Sequence, residues 1–360
     1  MADFTLAPIL PKIKETFINT PNIDLLVSMV LTLPALFIVI SSPLIGYLTD
    51  KCGRKNVVMW SMAVFILSGT YGYFASSIYE LLISRAIFGV AVSGVITAAS
   101  ALISDNYKEN GLGKMMGLQS AFIGYSGILY IMLGGVLADF YWRNVFLVYL
   151  SPLILLLMFA VYIKEPEIKC ELCGQNVSFN IKKYYKIYLA AFLNMAFFYM
   201  IPLLMPFHLK MIAPGISNTM TGTTICVEAF FYASISLFYK NIKNHLSYKN
   251  LFILPFIVVS LGFMTIAAYP GYWFSVAGLA LIGIGIGIIV PNFRVWIGEI
   301  SDFSVTGTAF GGFTTSAYLG QVVSPLLINA ISGSFSTAGI IMLILAFSSG
   351  LLTRPQARPR

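Results

Sequence analysis

Long apolar runs dominate this chain, and each is about as long as a helix that crosses a lipid bilayer. The hydrocarbon core of a bilayer is about 30 Å thick, which requires about 20 helical residues. Eleven such runs occupy residues 25–48, 56–76, 79–103, 114–137, 144–163, 187–209, 219–239, 250–269, 272–296, 305–330 and 335–353. Because lipid offers no partners for backbone polar groups, the runs predict an all-α membrane protein.

The composition excludes an aqueous fold. Of 360 residues, 58% are hydrophobic and only 10% are charged, whereas soluble domains carry about 25% charged residues. The net charge of +8 would suggest nucleic acid as a partner of a soluble protein. Here the basic residues lie in short gaps between apolar runs, so they indicate membrane topology and we expect no nucleic-acid binding.

A polar segment at residues 164–186 divides the apolar runs into two groups. Residues 2–11 supply only about ten residues before Lys12, or roughly 15 Å of helix, which is half a span. We therefore expect that the first helix is truncated at its N-terminus and that the native reading frame extends upstream. With this partial helix, residues 1–163 form one six-helix bundle, 164–186 a cytoplasmic linker, 187–353 a second six-helix bundle and 354–360 a cytoplasmic tail. Two such halves are typical of transporters with parallel repeats.

The distribution of basic residues supports one orientation. If the loop at residues 51–55 is cytoplasmic, cytoplasmic segments hold 16 of the 22 Lys and Arg residues, the opposite side holds four, and two lie within spans. This fourfold excess satisfies the positive-inside rule and predicts that both native termini are cytoplasmic.

The strongest local motif follows the first complete run and reads Gly46-Tyr-Leu-Thr-Asp50-Lys-Cys-Gly53-Arg54-Lys55. Its glycines permit a tight turn and close helix approach. Asp50 could pair with Arg54 or face the positive end of a neighbouring helix. The motif resembles the signature loop of the major facilitator superfamily at every fixed position. The resemblance implies a conformational latch, and the alternative interpretation is a plain basic loop.

Further motifs resemble the 12-helix bacterial drug/proton antiporters of that superfamily. They are Ala2–Pro11, Arg85–Ala91, Trp142–Phe146, the glycines 307, 311 and 312, and Gly320–Pro325. The resemblance implies a major facilitator fold in the bacterial cell (inner) membrane, with helix-packing roles for Gly89, Gly134, Gly135, Gly320 and Pro325.

Two departures from the family pattern weaken the antiporter interpretation or are neutral to it. Tyr130-Ile131 replaces the Gly-Pro of the antiporter motif in helix five, and the loop around residues 239–249 lacks the second Gly-Arg-Lys. Independently of the family pattern, the run Gly283-Ile-Gly285-Ile-Gly287 predicts a small-residue helix face that permits close packing.

Polar and ionisable residues inside spans are the best pointers to function, because a charge in mid-bilayer costs at least about 2.5 kcal/mol. We assign proton coupling or a substrate cavity to four residues: Asp3, Arg85, Glu228 and Gln321. Removal of a carboxylate from water favours its neutral form, so Glu228, near the middle of its run, could exchange protons. A structural hydrogen bond is the alternative for Glu228, and carbonyl capping or an acid partner is the alternative for Arg85. We expect Arg294 to extend its charged head towards the membrane surface.

The cysteines give little sign of a metal site. Cys170 and Cys173 form a lone C-x-x-C in the polar segment, to which His245 and Cys52 could add ligands. A zinc site needs about four ligands, so we predict reduced thiols, with no metal and no cofactor.

These observations predict a secondary active transporter that works by alternating access, with two bundles rocking about a midplane site. The favoured function is proton-coupled export of drugs or amphipathic small molecules. Alternatives are a symporter or facilitator for uptake of a small metabolite and a transport-dead membrane sensor. The expected partners are a small-molecule substrate, protons and the lipid bilayer, and we expect a monomer. An enzyme is not expected, because no nucleophile–base pair or metal cluster stands out.

Overall fold

The computed structural model describes residues 6, 9–163, 179–216, 218–246, 250–330 and 335–349. In this part of the chain every regular element is a helix. Eight helical segments there are long and apolar enough to cross a membrane, judged by length and composition. The prediction of an all-α membrane fold is therefore confirmed.

The regular elements of these residues are fourteen α-helices and three short 3₁₀ segments. The 3₁₀ segments are Trp142–Leu150, Ile181–Lys183 and Phe303–Val305. The α-helices are α1 Leu10–Thr16, α2 Ile23–Cys52, α3 Arg54–Tyr71, α4 Ile78–Asn106, α5 Glu109–Phe140, α6 Pro152–Tyr162, α7 Tyr185–Phe198, α8 Met200–Ile212, α9 Asn218–Leu237, α10 Tyr239–His245, α11 Asn250–Ala268, α12 Tyr272–Ile300, α13 Thr306–Ala330 and α14 Phe335–Ser349.

Every predicted apolar run corresponds to a helical segment, but two runs are divided. Run 144–163 begins as a 3₁₀ segment and continues as α6 from Pro152. Run 187–209 separates into α7 and α8 around Tyr199. Pro202 lacks the N–H that would bond to the Phe198 carbonyl, so one hydrogen bond of the helical ladder is missing at this break.

The first of two compact units consists of Met1–Asn106, Leu129–Ile181 and Ser301–Val322. It contains α1–α4, the second part of α5, α6 and most of α13. Its core includes the rings of Phe88, Phe146 and Tyr149, which are almost fully buried. The Phe88 and Tyr149 ring centroids are 5.1 Å apart in an edge-on arrangement, which is favourable for aromatic pairs.

The second unit consists of Tyr107–Ile128, Lys182–Ile300 and Val323–Arg360. The glycines of α12 permit close packing, as the sequence predicts, but on two sides of the helix and not on one face. A Cβ at Gly283 would overlap the Glu228 carbonyl of α9, and one at Gly287 would lie 2.9 Å from the Tyr232 carbonyl. Gly285 faces α11, where a Cβ would lie 2.7 Å from the Pro255 carbonyl. Because lipid is as apolar as the side chains, such close van der Waals packing is a main source of helix association.

The predicted division of the chain at residues 164–186 stays a prediction. Residues 164–178 lie outside the described part of the structure. The two compact units also share α5 and α13 between them, so they do not coincide with the two predicted sequence halves.

Candidate functional site

The signature loop is formed by a sharp turn at Gly53. This residue has φ 90° and ψ 144°, a backbone conformation that L-residues with a side chain rarely adopt. The turn ends α2 at Cys52 and starts α3 at Arg54. It brings Asp50 and Arg54 together at one end of these helices.

Gly46 lets α2 touch α13 within the first unit. A Cβ at Gly46 would lie 2.6 Å from the Gly307 carbonyl oxygen and 3.1 Å from the Gly311 Cα. A Cβ at Gly311 would lie 2.5 Å from the Ser42 carbonyl oxygen. The two backbones are therefore in contact, which explains the small residues on both helices.

Asp50 binds the first turn of α13, which starts at Thr306. Its carboxylate accepts hydrogen bonds from the Gly307 N–H at 2.7 Å, the Thr308 N–H at 2.8 Å and the Thr308 hydroxyl at 2.7 Å. The first N–H groups of a helix have no partner within the helix and carry its positive end. Asp50 supplies both the missing acceptor and a negative charge.

Arg54 joins two carboxylates and the segment before α13. Its guanidinium contacts Asp105 at 2.9 Å and Asp50 at 3.3 Å, donates to the Phe303 carbonyl, and lies 4.3 Å from the centre of the Phe303 ring. Only 1% of Arg54 is exposed. A charged group in such a site is stable only when its donors are used, and removing one partner typically costs about 3–5 kcal/mol.

Lys55 serves a separate contact, because its ammonium donates to the Ala160 carbonyl in α6 at 2.9 Å. A cation near a helix C-terminus is favourable. The structure therefore brings Gly46, Asp50, Gly53 and Arg54 into one cluster with α13, with Lys55 beside it. The burial of Arg54 distinguishes this geometry from that of a plain solvated basic loop.

Arg85 lies in a cage of aromatic rings in the first unit and is fully buried. It donates to the carbonyls of Ser68 at 3.3 Å and Gly69 at 3.1 Å. Its guanidinium carbon lies 4.7–5.4 Å from three ring centres, those of Phe88, Phe146 and Tyr149. Its Nε and Nη1 atoms have no partner among the described residues. The carbonyl-capping interpretation is confirmed, and a coupling role stays a prediction.

The predicted packing residues take different positions. A Cβ at Gly89 would overlap Pro34 of α2, so this glycine allows close contact of α2 and α4. Gly134 and Gly320 are buried in α5 and α13. Gly135 lies in α5, and Pro325 is an exposed residue inside α13.

Gln321 lies on α13 in the first unit and is half-buried. Its Oε1 has no hydrogen-bond partner within the described residues.

Glu228 is the buried carboxylate of the second unit, with 4% of its surface exposed. Its Oε1 has no hydrogen-bond partner among the described residues. This atom therefore does not support the alternative in which Glu228 makes a structural hydrogen bond. The backbone of α9 at Glu228 is pressed against Gly283 of α12. A buried carboxylate oxygen without a hydrogen-bond partner is energetically costly unless the group is protonated or binds a ligand.

A chain of polar side chains lies one turn from Glu228. Tyr232 is four residues further along α9, is buried, and shares a side-chain hydrogen bond with Ser120 of α5. The Ser120 hydroxyl also accepts a bond from Arg294 Nη1 at 2.8 Å. Arg294 is 7% exposed. Our prediction that its head reaches the membrane surface is therefore wrong, because the Ser120 hydroxyl gives the guanidinium a buried partner.

The loop that lacks the second Gly-Arg-Lys is held by other pairs. Lys243 binds Glu299 at 2.6 Å, and the Tyr239 hydroxyl donates to Asn292 Oδ1 at 2.8 Å. Burial, and to a smaller extent the charge of Glu299, raises the pKa of Tyr239 well above its usual range. Tyr239 therefore stays a neutral donor. These contacts join α10 to α12 without a signature loop.

Several predicted residues lie outside the described part of the chain. They are Asp3, Cys170 and Cys173. Within the described residues no cluster of three or more His, Cys, Asp or Glu side chains could hold a metal ion. His245 Nδ1 donates a hydrogen bond to the Asn241 carbonyl oxygen of its own helix at 2.8 Å.

Three important partners were missed by sequence reasoning. Asp105, Thr308 and Ser120 bind Arg54, Asp50 and Arg294, respectively. An acidic residue at the end of an apolar run was a usable signal for Asp105. A threonine or serine within a membrane helix is too common to have marked the other two.

Fold and site together define a multi-pass helical membrane protein with a buried aspartate–arginine cluster at the α2–α3 turn. The family model of the Major Facilitator Superfamily matches residues 1–172 and 187–360. The chain belongs to this superfamily, as the signature loop predicts.

Individual relatives are distant. The sialic acid transporter NanX of Escherichia coli is 22% identical over 326 residues, covering 85% of this chain and 78% of NanX. The multidrug resistance protein MdtG of Salmonella arizonae is 26% identical over 349 residues, covering 91% of this chain and 85% of MdtG. The human organic anion transporter MFSD10 (TETRAN) has the same fold, with a TM-score of 0.81, 18% identity, and coverage of 97% of this chain and 95% of that one.

Proposed function

We propose that the protein exports drugs or other amphipathic small molecules in exchange for protons, by alternating access. The observation that carries this proposal is Glu228, a carboxylate with 4% exposure whose Oε1 lacks a partner among the described residues. A carboxyl group in this environment can cycle between a protonated state and a state paired with a cationic or hydrogen-bonding ligand. The similarity to MdtG, a multidrug resistance protein, also supports the proposal of drug export.

In this proposal the cluster around Asp50 is a conformational latch. Its contacts with Gly307 and Thr308 involve three short hydrogen bonds. They can be made only while the start of α13 lies against the end of α2. Loss of the contacts would leave a buried carboxylate and helix N–H groups without hydrogen-bond partners. Because this loss is costly, the contacts stabilise the arrangement in which the start of α13 lies against the end of α2.

The remaining candidates have supporting roles in the proposal. Arg85 has a positioning role, because its guanidinium donates to the Ser68 and Gly69 carbonyls and so joins α4 to α3. Gln321, whose Oε1 has no hydrogen-bond partner among the described residues, contributes to the substrate cavity. Asp3 is the rival of Glu228 as the proton-binding residue.

Uptake of a small metabolite is a second candidate function. It is supported by the similarity to the sialic acid transporter NanX and by Tyr130-Ile131 in place of the Gly-Pro of exchangers. Tyr130 donates or accepts a hydrogen bond with the Ser151 hydroxyl at 2.8 Å, so this departure from the motif has its own contact. A transport-dead sensor remains the third alternative.

The proposal also includes the arrangement in the membrane. We propose a monomer in the bacterial inner membrane with both native termini in the cytoplasm. We further propose six-helix bundles at residues 1–163 and 187–353, joined by a cytoplasmic linker at 164–186.

Transport by purified protein in proteoliposomes tests these alternatives. A panel of amphipathic cations, neutral drugs and small sugars or carboxylates is supplied under an imposed pH gradient, with a pH-sensitive dye inside the vesicles. Export predicts substrate movement against the proton flux, whereas symport predicts that both move together. Absence of counterflow for the whole panel would favour the sensor.

A further inference from the structure

A groove runs along the surface of the first unit between α3 and α4. It encloses about 410 Å³, which lies in the range of small-ligand sites of about 300–1,000 Å³. Most of its lining is apolar, and Leu67 and Ile83 are 72% and 61% exposed. The apolar walls are Val64, Leu67, Ile83 and Ile87.

The two ends of the groove differ chemically. Tyr71 and Glu80 lie together at the end near the α3–α4 connection, and Glu80 is the single charged residue among those that line the groove. Phe74 and Tyr79 are also exposed at this end. Exposed aromatic residues at the end of a membrane helix mark the level of the lipid headgroups. The carboxylate therefore lies at headgroup level, and the apolar walls extend from it into the hydrocarbon region.

The length and the charge of the groove restrict the occupant. From Tyr71 to Val64 the groove follows seven residues of α3, which is about 10 Å of helix. One carboxylate oxygen of Glu80 already accepts the Ser76 N–H at 2.9 Å, and the other can receive a further donor. An apolar slot with a carboxylate at its headgroup end complements a molecule with a hydrocarbon chain and a cationic, hydrogen-donating head.

We propose that this groove binds one acyl chain of a phospholipid with a primary ammonium headgroup, such as phosphatidylethanolamine, and that Glu80 pairs with the ammonium group. The bound chain lies on Ser68 and Ser84, which complete the lining. The Ser68 carbonyl is one of the two that Arg85 holds. The lipid would thus contact the outer surface of α3 and α4, the two helices that Arg85 joins in the protein interior.

Native mass spectrometry of the whole chain tests the proposal. The purified protein is supplied with phosphatidylethanolamine, phosphatidylcholine and phosphatidylglycerol of identical acyl chains, and the retained lipids are counted. An exposed ion pair contributes up to about 1 kcal/mol, so we expect roughly fivefold preferential retention of phosphatidylethanolamine over phosphatidylglycerol. The phosphatidylcholine arm separates charge from hydrogen-bond donation, because its head carries no N–H.

Three variants locate the bound lipid. Glu80→Gln keeps an acceptor for the Ser76 N–H but removes the charge, and it should abolish the preference. Ile83→Trp fills the groove and should lower retention of all three lipids. Ile40→Trp, at an α2 position that is 62% exposed, is the matched control and should behave as wild type. Size-exclusion profiles and thermal unfolding are compared for all variants.

Three outcomes would overturn the proposal. The first is equal retention of the three lipids by the wild-type protein, and the second is a preference for phosphatidylethanolamine that survives Glu80→Gln. The third is binding of tetraphenylphosphonium, a lipophilic cation that is not a lipid, that depends on Glu80 and Ile83 while phosphatidylethanolamine binding does not. The groove would then be a site for a soluble amphiphile.

Discussion

At the scale of single residues, Glu228 and Arg85 are both buried within helices, but their surroundings support different roles. Arg85 is surrounded by three aromatic rings and two carbonyls. These groups stabilise its guanidinium. Glu228 has an oxygen without a hydrogen bond among the described residues. The two environments support our proposal that Glu228 exchanges protons and that Arg85 has a positioning role.

The first prediction concerns Glu228→Gln. The amide keeps the size and hydrogen-bonding capacity of a protonated carboxyl but cannot release a proton. We expect proton-driven transport to fall at least about tenfold, while counterflow without a gradient persists. Transport into proteoliposomes with and without a pH gradient measures both quantities.

Two further variants complete this experiment. Glu15→Gln, at an exposed position of α1, is the matched control and should keep the wild-type rate. Asp3→Asn tests the rival proton site. Normal proton-driven transport by Glu228→Gln together with its loss in Asp3→Asn would assign coupling to Asp3 instead.

The second prediction concerns Arg85→Lys. Lysine keeps the charge but lacks the flat guanidinium that lies against the rings and bonds two carbonyls. We expect the protein to lose about 1–2 kcal/mol of stability, because desolvated cation–π contacts are of that size. Thermal unfolding in detergent measures the loss. Arg143→Lys serves as the control, since Arg143 is only partly buried and stacks on one ring; an equal effect in both variants would contradict the prediction.

The residue-level prediction from sequence was partly successful for a physical reason. A charge within an apolar run is conspicuous, so the unusual environments of Glu228 and Arg85 could be anticipated. The direction of a long side chain could not. Arg294 lies near the end of its helix and was expected at the surface, yet it binds Ser120, which is 174 positions away in sequence.

At the scale of elements, the contact between α2 and α13 is the most clearly defined helix–helix interaction in the first unit. It combines steric fit at Gly46 and Gly311 with a carboxylate that occupies the N-terminal donors of a helix. The motif predicted the turn at Gly53 and the alternatives of an arginine or a helix end as partners of Asp50. The structure contains both partners. That the helix would be α13 followed from no local pattern, because its distance in sequence exceeds 250 residues.

The third prediction concerns Asp50→Asn. The amide has one acceptor oxygen in place of two and carries no charge, so it cannot satisfy the N–H groups of both Gly307 and Thr308 as well. We expect transport to fall at least about tenfold while membrane insertion is unchanged, since loss of one group from a buried charged network costs about 3–5 kcal/mol. Thr308→Val leaves both backbone bonds and should have a much smaller effect. Equal transport rates in wild type and Asp50→Asn would remove the latch from the mechanism.

The fourth prediction concerns the packing of α9 on α12. Gly283→Ala places a methyl group against the Glu228 carbonyl and 2.9 Å from the Phe231 Cβ. We expect a loss of about 1–3 kcal/mol of stability, as for other overpacked interfaces. Gly222→Ala is the matched control, because a Cβ there meets nothing within 4 Å. Its higher helix propensity should leave stability unchanged or slightly higher, and thermal unfolding that ranks the two variants in the opposite order would contradict the packing model.

At the scale of the whole molecule, the order of the long helices followed from the apolar runs, but their number did not, because two runs are divided. Each run needed only length and hydropathy to be recognised. The internal breaks in runs 144–163 and 187–209 were harder to predict from sequence. Proline is tolerated in the first turn of a helix, and the exact position of a break depends on neighbouring helices. The sharing of α5 and α13 between the two compact units could not be anticipated from a pattern that only divides the chain at its longest polar segment.

The fifth prediction concerns the orientation of the chain in the membrane. Cys52 is exposed at the end of α2, on the side that the positive-inside rule assigns to the cytoplasm. A membrane-impermeant maleimide should label it only after the cells are permeabilised. The measurement uses a variant in which Cys170, Cys173 and Cys226 are serine.

The opposite face provides the control for this measurement. Ser76→Cys, made without the native cysteines, lies in the exposed connection between α3 and α4 and should be labelled in intact cells. The reverse pattern at the two positions would mean that the orientation is inverted.

The bonds of Asp50 also have an evolutionary consequence. Two of its three donors on α13 are main-chain N–H groups, which remain present whatever side chain stands at positions 307 and 308. A lineage that lost the aspartate could not restore the contact by a reciprocal change of charge on α13, since no side-chain charge is involved there. Gly46 and Gly307 leave no smaller residue to substitute, so changes of size cannot compensate either. Sequences that diverge at this place should therefore keep Asp50 with little covariation, or abandon the whole contact, as in the other loop, where the Lys243–Glu299 pair provides a different connection.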